Sequence, residues 1–374
     1  MPLISYLRGM KIAYCIHSMH LSRGVERGIC YKTSYLGRIP GNEVYIITAD
    51  MRGRKPSYTL GTNVSLINLG ASDRFVLFYG KYRRRLRRCL EELRPDICVS
   101  VGGNEIYALA DIDFGGKKIA EYHFSHEKFL MKYGRNFLGR KYAELRNRIL
   151  KKAIAKYDAY VVLTRKDQQD WKESCPEVRQ IYNPATFEEK RDAALDRRHV
   201  IAAGRLVEQK NYPDMLAAWE IVHRKHPDWV LDIYGEGKLR KRLAKEIGRR
   251  FPGGGVLLKG NCRKMNEAFL ESSILVLSSH YEGFPMVLLE ASACGVPMVS
   301  YDCPKGPSEI IEDGVNGILV RQYDVEGLAQ GLCTLIEDDA LRKRMGAKAK
   351  EMGARFPADG VMKQWVELFS ELAG

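Results

Sequence analysis

Short apolar runs rich in β-branched residues alternate with stretches of helical period along the first half of the chain. The runs that we predict to be strands lie at residues 11–19, 43–49, 64–69, 96–101, 118–124 and 157–163. A strand that is apolar throughout has both faces buried, as in a parallel sheet with helices on each side. The alternation therefore predicts a parallel α/β domain.

The same alternation restarts in the second half, after Asn183-Pro184 and a charged stretch at residues 188–198. Further strands are predicted at residues 199–203, 230–234, 256–259, 274–278 and 298–301. After Pro357, apolar residues recur at near-helical spacing and predict a closing helix. We therefore predict two Rossmann-like, doubly wound domains at residues 1–184 and 199–357, a linker at 185–198 and a C-terminal helix at 358–374.

The composition is that of a folded protein long enough for two cores. The chain has 374 residues, of which 45% are apolar and 28% are charged. No apolar run reaches the length of a membrane-spanning helix, and residues 1–11 lack the apolar core of a secretory signal, so we expect a cytoplasmic protein. The nine cysteines contain no C-x-x-C pair, so we expect reduced thiols, without disulfides or a bound metal.

The net charge of +14 is concentrated in the first half of the chain. Residues 1–184 carry +15 and the remainder −1, and one-sided charge attracts an anionic substrate or surface. The densest cluster includes Arg84, Arg85 and Arg88, which we expect to contact an acceptor or the anionic inner face of a membrane. Alternatively, these arginines are the solvated face of an amphipathic helix. No nucleic-acid-binding motif accompanies them, so no nucleic-acid partner is expected.

Parallel sheets bind ligands beyond the carboxyl ends of their strands, so the turns that follow predicted strands are the places to look for chemistry. The strand at residues 199–203 runs into Gly204-Arg205-Leu206, and Lys210 follows at the next turn. A guanidinium fork and an ammonium that converge on one anion suit a diphosphate. The alternative is a pair of solvated surface cations.

A second turn follows the strand at residues 274–278 and contains Glu282, Gly283, Phe284 and Pro285 before a helix that carries Glu290. The free amides at the start of that helix form a phosphate cradle, and the glycine allows close approach. Carboxylates beside a phosphate site are explained if they accept hydrogen bonds from sugar hydroxyls. The two turns together predict a site for a nucleotide-sugar.

These motifs resemble those of the family-4 glycosyltransferases, which are retaining enzymes of the GT-B fold. The E-x7-E element is matched by EGFPMVLLEA from Glu282 to Glu290, and the G-R-L element with its lysine by Gly204, Arg205 and Lys210. A further stretch, P-x-E-I-I-x-D-G-x-N-G-x-L-V, is matched by residues 307–320. The resemblance implies two Rossmann-like domains that face a central cleft.

The resemblance also assigns roles in donor binding. It implies that Glu282 binds the donor sugar, that Glu290 binds the ribose, and that Arg205 and Lys210 neutralise the diphosphate. The backbone of Gly283, Phe284 and Pro285 is expected to cradle phosphate, and Asn261, in the turn at residues 260–262, to touch the base. The donor is then a substrate, and no cofactor is expected.

In the family, the N-terminal domain binds the acceptor and contributes a glycine loop and a histidine that face the donor sugar. His123 is the candidate histidine, and His126 is the alternative. The glycine loop is represented by Gly24, but Arg23 stands where a first glycine is usual. We therefore hypothesise that Arg23 adds a contact to donor phosphate or to an anionic acceptor.

The function expected from this resemblance is transfer of a hexose or N-acetylhexosamine from a UDP-sugar to a glycan or lipid-linked acceptor in cell-surface polysaccharide synthesis. The catalytic residues would be Arg205, Lys210, Glu282 and His123, without a metal. A metal-dependent GT-A enzyme would need a D-x-D pair at a strand end. Asp111-Ile112-Asp113 has the residues of such a pair but lies in a poor position. The sequence is also compatible with a sugar-nucleotide epimerase or hydrolase on the same fold, or with a non-catalytic basic binding module.

Overall fold

The computed structural model describes residues 9–21, 24–71, 76–134, 136–175, 177–185 and 189–374, leaving aside the side chains of 76–78. The described chain divides into two units. The first contains the described residues up to 185 together with Ala358–Gly374, and the second contains those from 189 to 357. The last helix in sequence therefore belongs to the first unit.

The first unit is built on a seven-stranded sheet with the order β3-β2-β1-β4-β5-β6-β7, in which all neighbours are parallel. Its strands are β1 (Lys11–Ile16), β2 (Glu43–Thr48), β3 (Val64–Asn68), β4 (Ile97–Val101), β5 (Lys117–Tyr122), β6 (Ala159–Val162) and β7 (Val178–Gln180). The intervening helices are α1 (Gly24–Leu36), α2 (Val76–Leu93), α3 (Glu105–Ala110), α4 (Lys128–Tyr133), α5 (Phe137–Ile154) and α6 (Arg165–Lys172).

The second unit has a six-stranded parallel sheet with the order β10-β9-β8-β11-β12-β13. Its strands are β8 (His199–Ala203), β9 (Val230–Tyr234), β10 (Val256–Gly260), β11 (Ile274–Leu277), β12 (Met298–Tyr301) and β13 (Gly317–Val320). Its helices are α7 (Tyr212–Lys225), α8 (Arg240–Arg250), α9 (Met265–Leu270), α10 (Met286–Ala293), α11 (Pro307–Ile310), α12 (Val325–Glu337) and α13 (Asp339–Gly353). The strand order reverses between β8 and β11, where such sheets bind ligands.

Alternate residues of β1 face opposite helix layers of the first unit. Ile12 and Tyr14 pack with α1 and with the last helix, α14 (Ala358–Ala373). Ala13 and Cys15 pack with α2 and α3 on the other face. The strand register continues this second face across β4, β5 and β6, where α4, α5 and α6 cover it. The helices α2, α3 and α5 therefore lie in the same layer.

The predicted fold class is confirmed, and each predicted strand is present. Two short strands at the sheet edges, β7 and β13, were missed by the sequence analysis. The first has only the three residues Val178–Gln180, and the second, Gly317–Val320, directly follows a turn within a motif. Segments this short carry too few residues to show a period, and their pairing with a neighbouring strand forms them.

Each of the nine cysteines lies among the described residues and takes part in no disulfide. In the same part of the chain, no helix combines the length and the apolar character that crossing a bilayer requires.

Trp365 anchors α14 to the first unit, because the residue is 1% exposed and the Lys32 ammonium lies 4.7 Å from the centroid of its ring. We predict that Trp365→Ala lowers the free energy of unfolding by about 3–5 kcal/mol, the usual cost of the cavity left by a buried aromatic residue. Urea denaturation followed by circular dichroism measures this. Lys363→Ala, exposed on the same helix, is the matched control, and equal midpoints for both variants would contradict the prediction.

Candidate functional site

Two glycine turns follow neighbouring strands at the carboxyl edge of the second sheet, Gly204 after β8 and Gly235 after β9. Gly235 has a φ of +137°, and a Cβ atom there would lie 1.9 Å from the carbonyl oxygen of Gly204. Only glycine permits this contact between the two turns. The Tyr212 hydroxyl donates to the same carbonyl at 3.1 Å and ties the start of α7 to the β8 turn.

Lys210 is positioned by the segment that connects β8 with α7. A short 3-10 turn, Glu208–Lys210, ends at Asn211, which has a φ of +47° in the left-handed region that asparagine tolerates. The Ser278 hydroxyl, just after β11, lies 3.0 Å from the carbonyl oxygens of both Lys210 and Asn211 and can donate to either. The backbone of Lys210 is thereby held against the neighbouring strand.

Lys210 and Glu282 form an ion pair, with 2.7 Å between Lys210 Nζ and Glu282 Oε1. The Ser279 hydroxyl donates to the same carboxylate oxygen at 2.5 Å. Glu282 is only 6% exposed, so its charge needs these partners. The motifs predicted that Lys210 and Glu282 share one site, but no sequence pattern indicated that the two side chains contact each other.

The start of α10 lies beside the loop that follows β12. Gly306 has a φ of +99°, and a Cβ atom there would lie 2.6 Å from Pro285 Cδ and 3.2 Å from the Gly283 carbonyl oxygen. Close approach of these two loops therefore requires glycine. Phe284 is buried with its ring 5.6 Å from that of Phe356, in an edge-on arrangement. The loop that precedes the α10 amides is thus fixed from two sides.

Two glutamines that the sequence analysis missed join the loops after β8, β11 and β13. Gln209 donates from Nε2 to the Tyr281 carbonyl oxygen at 2.9 Å, and its own carbonyl accepts from the His280 amide at 2.8 Å. Gln322 donates to the His280 carbonyl oxygen at 2.6 Å. Nothing in the sequence marks a glutamine in a turn as a link between distant loops, so only the structure shows this role.

The remaining predicted donor residues of the second unit lie on the same edge of its sheet. Arg205 is exposed directly after the β8 turn and donates from Nη2 to Gln209 Oε1 at 3.2 Å. Glu290 is 6% exposed, within α10. Asn261 is exposed directly after β10, where the Gly260 carbonyl accepts from the Gly235 amide at 2.8 Å. The structure therefore brings the predicted loops together, and the assigned roles stay predictions.

In the first unit, His123 directly follows β5 and is 8% exposed. Its Nε2 lies 3.0 Å from Glu121 Oε1, and the buried Lys32 ammonium bonds to the same oxygen. Burial acts to raise the pKa of Glu121, but the Lys32 and His123 charges outweigh it and hold this pKa at about 2. The carboxylate is therefore ionised and can fix the orientation of the His123 ring.

The alternative histidine, His126, occupies a different environment. Its ring packs edge-on against Trp171 at 4.8 Å, and its amide donates to Asp167 at 3.0 Å. These contacts are those of a residue that packs a loop onto α6. Gly24 begins α1, whereas Arg23 lies outside the described residues.

A lysine that no motif marked lies five positions after His123. The ammonium nitrogen of Lys128 is 3.1 Å from the centroid of the Phe124 ring and 5.6 Å from that of Tyr122. Burial, with a contribution from Lys132, lowers the pKa of Lys128 to about 7. This side chain therefore releases its proton more readily than an exposed lysine does.

The arginines of α2 have two kinds of surroundings. Arg84, Arg85 and Arg88 are all exposed, and Arg85 also donates from Nη1 to the carbonyl oxygens of Leu69 and Gly70, at 2.5 and 2.9 Å. Tyr82, Leu86 and Leu90 of this helix are buried in the core, as the amphipathic pattern predicted.

The D-x-D pair considered for a metal site does not lie at a strand end. Asp111 follows the short helix α3. Its carboxylate lies 2.5 Å from the Lys156 ammonium and 3.6 Å from the Arg83 guanidinium, and the hydrogen bond from Lys156 contributes most to lowering its pKa. This position does not suit the role that a GT-A enzyme gives to such a pair.

Two doubly wound parallel units, the second with cations and glutamates at its switch point, form the GT-B fold known from glycosyltransferases. Residues 185–352 match the family model described as glycosyl transferases group 1, and residues 22–189 match that of glycosyltransferase family 4. Together these matches take in both units. The chain therefore belongs to the family-4 (group 1) glycosyltransferases, as the motifs predicted.

Several characterised and uncharacterised proteins are similar in sequence. An uncharacterised glycosyltransferase of Haemophilus influenzae is 26% identical over 95% of this chain and 98% of its own length. An exopolysaccharide phosphotransferase of Streptomyces coelicolor is 39% identical over 58% of this chain but only 23% of its own length. A poly(glycerol-phosphate) alpha-glucosyltransferase of Bacillus subtilis is 26% identical over 58% of this chain and 33% of its own length.

Solved structures share the fold at low sequence identity. Sucrose-phosphate synthase from Thermosynechococcus elongatus superposes with a TM-score of 0.85 at 17% identity, over 97% of this chain and 99% of that chain. HepE of Anabaena in complex with UDP superposes with a TM-score of 0.73 at 17% identity, over 97% of this chain and 100% of that chain.

The depressed pKa of Glu121 predicts how stability depends on pH. The contribution of the ionised Glu121 carboxylate to the free energy of unfolding is fully present above the ordinary carboxyl pKa of 4.5. It is lost as the pH falls through about 2. The double variant Lys32→Met/Glu121→Gln removes the titrating pair. We predict that the free energy of unfolding of the wild type, relative to this variant, falls by roughly 3 kcal/mol between these pH values.

Urea denaturation of both proteins at a series of pH values measures this difference. Tyr45→Phe/Glu43→Gln, which removes an exposed pair of the same unit, is the control and should leave most of the acid dependence in place. A wild-type stability that runs parallel to that of the Lys32→Met/Glu121→Gln variant across this range would contradict the assignment.

Proposed function

We propose that this glycosyltransferase is a retaining, metal-independent enzyme that transfers a hexose or N-acetylhexosamine from a UDP-sugar to a glycan or lipid-linked acceptor of a cell-surface polysaccharide. The observation that carries the proposal is the ion pair of Lys210 with Glu282, placed between the β8 turn and the start of α10. It sets a cation and a carboxylate side by side where a phosphorylated sugar needs both.

The donor site follows from this arrangement. A diphosphate offers Lys210 and Arg205 a stronger anionic partner than a single carboxylate, and the amides after Glu282 add helix-end donors. Glu282, released from part of its pairing, then accepts hydrogen bonds from sugar hydroxyls, and Glu290 accepts those of the ribose. The neutralising charge comes from the protein, so we propose that no metal ion is needed.

Uridine is proposed as the base because HepE, which shares the fold, was solved with UDP. We propose that Asn261 and the β10 turn contact the base, since this turn lies on the same sheet edge as the phosphate-binding turns. His123 and Gly24 are the proposed contacts of the first unit to the donor sugar, with Glu121 orienting the His123 ring.

The proposed reaction is a front-face displacement. The acceptor hydroxyl oxygen bonds to C1 of the sugar as the bond between C1 and the β-phosphate oxygen breaks. The hydroxyl proton passes to that departing phosphate oxygen on the same face, so the configuration is retained. Arg205, Lys210 and the α10 amides stabilise the leaving diphosphate, each donor contributing about 3 kcal/mol in the transition state.

The acceptor is proposed to be an anionic or lipid-linked glycan at the cytoplasmic face of a membrane. The excess of +15 in residues 1–184 favours an anionic partner. Similar proteins are named for polymers, among them the Streptomyces exopolysaccharide phosphotransferase and the Bacillus poly(glycerol-phosphate) alpha-glucosyltransferase. The exposed Arg84 and Arg88 are proposed to contribute to this attraction.

The test begins with a panel of nucleotides and nucleotide-sugars. A ligand that binds only the folded state raises the unfolding temperature, and we predict that UDP and one UDP-sugar do so, with the effect lost in Glu290→Ala. Nuclear magnetic resonance of the first product then gives its anomeric configuration, which we predict matches that of the donor. An inverted product, or turnover abolished by a chelator, would refute the proposed mechanism. Donor consumption without an acceptor would indicate an epimerase or hydrolase.

The phosphate-binding cations provide a second test. We predict that Arg205→Ala and Lys210→Ala each lower kcat by roughly 10² to 10³-fold, because each removes one stabilising donor from the transition state. Steady-state kinetics with saturating donor measure this. Arg249→Ala, an exposed cation near the end of α8, is the matched control and should keep wild-type turnover. Near-normal kcat in Lys210→Ala would contradict the site.

A further inference from the structure

The exposed apolar side chains of this protein are concentrated in one segment. Among the described residues, eight large apolar side chains are exposed, and six of them lie between residues 130 and 149. They are Leu130, Phe137, Leu138, Tyr142, Leu145 and Ile149, with exposures from 43% to 77%. All but Leu130 belong to α5, so the clustering is a property of that helix.

Helix α5 has two apolar faces, and the protein covers only one of them. Its buried residues include Ala143, Leu150 and Ile154, which pack beside α3 and α4. Leu138, Tyr142, Leu145 and Ile149 follow one another at spacings of four, three and four, which places them in a single stripe on a different face. A second apolar stripe that faces solvent is unusual for a helix at a protein surface.

The surroundings of this stripe are strongly basic. Helix α5 contains six arginine or lysine residues and a single acidic residue, Glu144. Lys141, Arg148 and Lys152 each come three positions after a member of the stripe, so they lie along its side. All three are exposed. An apolar stripe with a cationic border matches the chemistry of an anionic bilayer surface.

Helix α2 reinforces this character because it lies in the same helix layer, with α3 between it and α5. Asp111 connects the two helices, since it pairs with Arg83 of α2 and with Lys156 just after α5. The exposed Arg84 and Arg88 therefore belong to the same side of the first unit. This helix has no exposed apolar stripe of its own among its described side chains.

We propose that the stripe Leu138, Tyr142, Leu145 and Ile149, together with Phe137 and the flanking cations, docks this protein on an anionic lipid bilayer. The apolar side chains enter the interfacial region, and Lys141, Arg148 and Lys152 contact lipid phosphates. A second copy of the chain would face this surface with the same excess of positive charge, so self-association is disfavoured. The inference deepens the membrane location included in the proposed function, but its test needs neither donor nor acceptor.

Cosedimentation of the full chain with vesicles tests the proposal. We expect binding to phosphatidylcholine vesicles that contain phosphatidylglycerol, and little binding to phosphatidylcholine alone. Leu138→Gln/Leu145→Gln should weaken binding at least about tenfold, because it removes half of the stripe. The control Leu257→Gln changes a leucine of the second unit that is 45% exposed, close to the 49% of Leu145, and should bind as the wild type does.

The cationic border is tested separately. Lys141→Gln/Arg148→Gln/Lys152→Gln should weaken vesicle binding by about tenfold or more and reduce its dependence on salt. Lys241→Gln/Lys245→Gln/Arg249→Gln removes the same number of exposed cations from one face of α8 and is the matched control. Equal losses in the two triple variants would show only a general charge effect and would overturn the assignment to α5.

A tryptophan probe reports which surface meets the lipid. The four native tryptophans are at most 6% exposed, so a new exposed tryptophan dominates quenching from the bilayer. We expect brominated lipids to quench Phe137→Trp and not Leu257→Trp.

The proposal would be overturned if Leu138→Gln/Leu145→Gln bound vesicles as the wild type does. It would also be overturned if light scattering without lipid showed a wild-type dimer that the Leu138→Gln/Leu145→Gln variant does not form. Failure of vesicle binding with normal transfer to a soluble acceptor would refute the docking surface and leave the proposed function in place.

Discussion

The contact between Lys210 and Glu282 is the interaction on which the candidate site depends. It joins residues 72 positions apart, one after the first strand of the second unit and the other after the strand across the switch point. A carboxylate this buried is stable only with a cation and a hydroxyl beside it, and Lys210 and Ser279 supply them. Under the proposed function, the donor diphosphate competes for Lys210, so donor binding and the arrangement of the loops are linked.

The first unit contains a related arrangement. Lys32, on the helix that follows β1, pairs with Glu121 at the end of β5, and His123 lies beside the same carboxylate. In both units a lysine between the first and second strands of the unit meets a glutamate that lies in or after a strand beyond the point where the strand order reverses. Parallel sheets produce such meetings because the carboxyl ends of all their strands lie at one edge. The Lys32 pair is fully buried, whereas the Lys210 and Glu282 side chains are 14% and 8% exposed.

The comparison of α2 with α5 shows why clustered charge alone does not identify a docking surface. The arginines of α2 form the denser cluster, yet Tyr82, Leu86 and Leu90 of that helix are buried in the core and Arg85 donates to backbone carbonyls. Helix α5 combines its cations with an apolar stripe that the protein leaves uncovered. The difference between the two helices lies in which apolar residues the sheet can reach, and a single-helix pattern contains no information on that.

The sequence by itself determined the two parallel α/β units, the positions of their main strands and the turns that carry Arg205, Lys210 and Glu282, because alternating periodicity and local motifs depend on neighbouring residues. Tertiary structure alone decided that Lys210 pairs with Glu282, that Lys32 reaches Glu121, and that Gln209 links loops distant in sequence. It also decided that α14 packs on the first unit and that one apolar face of α5 remains exposed. These outcomes depend on which strands become neighbours, and that choice follows from burial summed over the whole chain rather than from any local pattern.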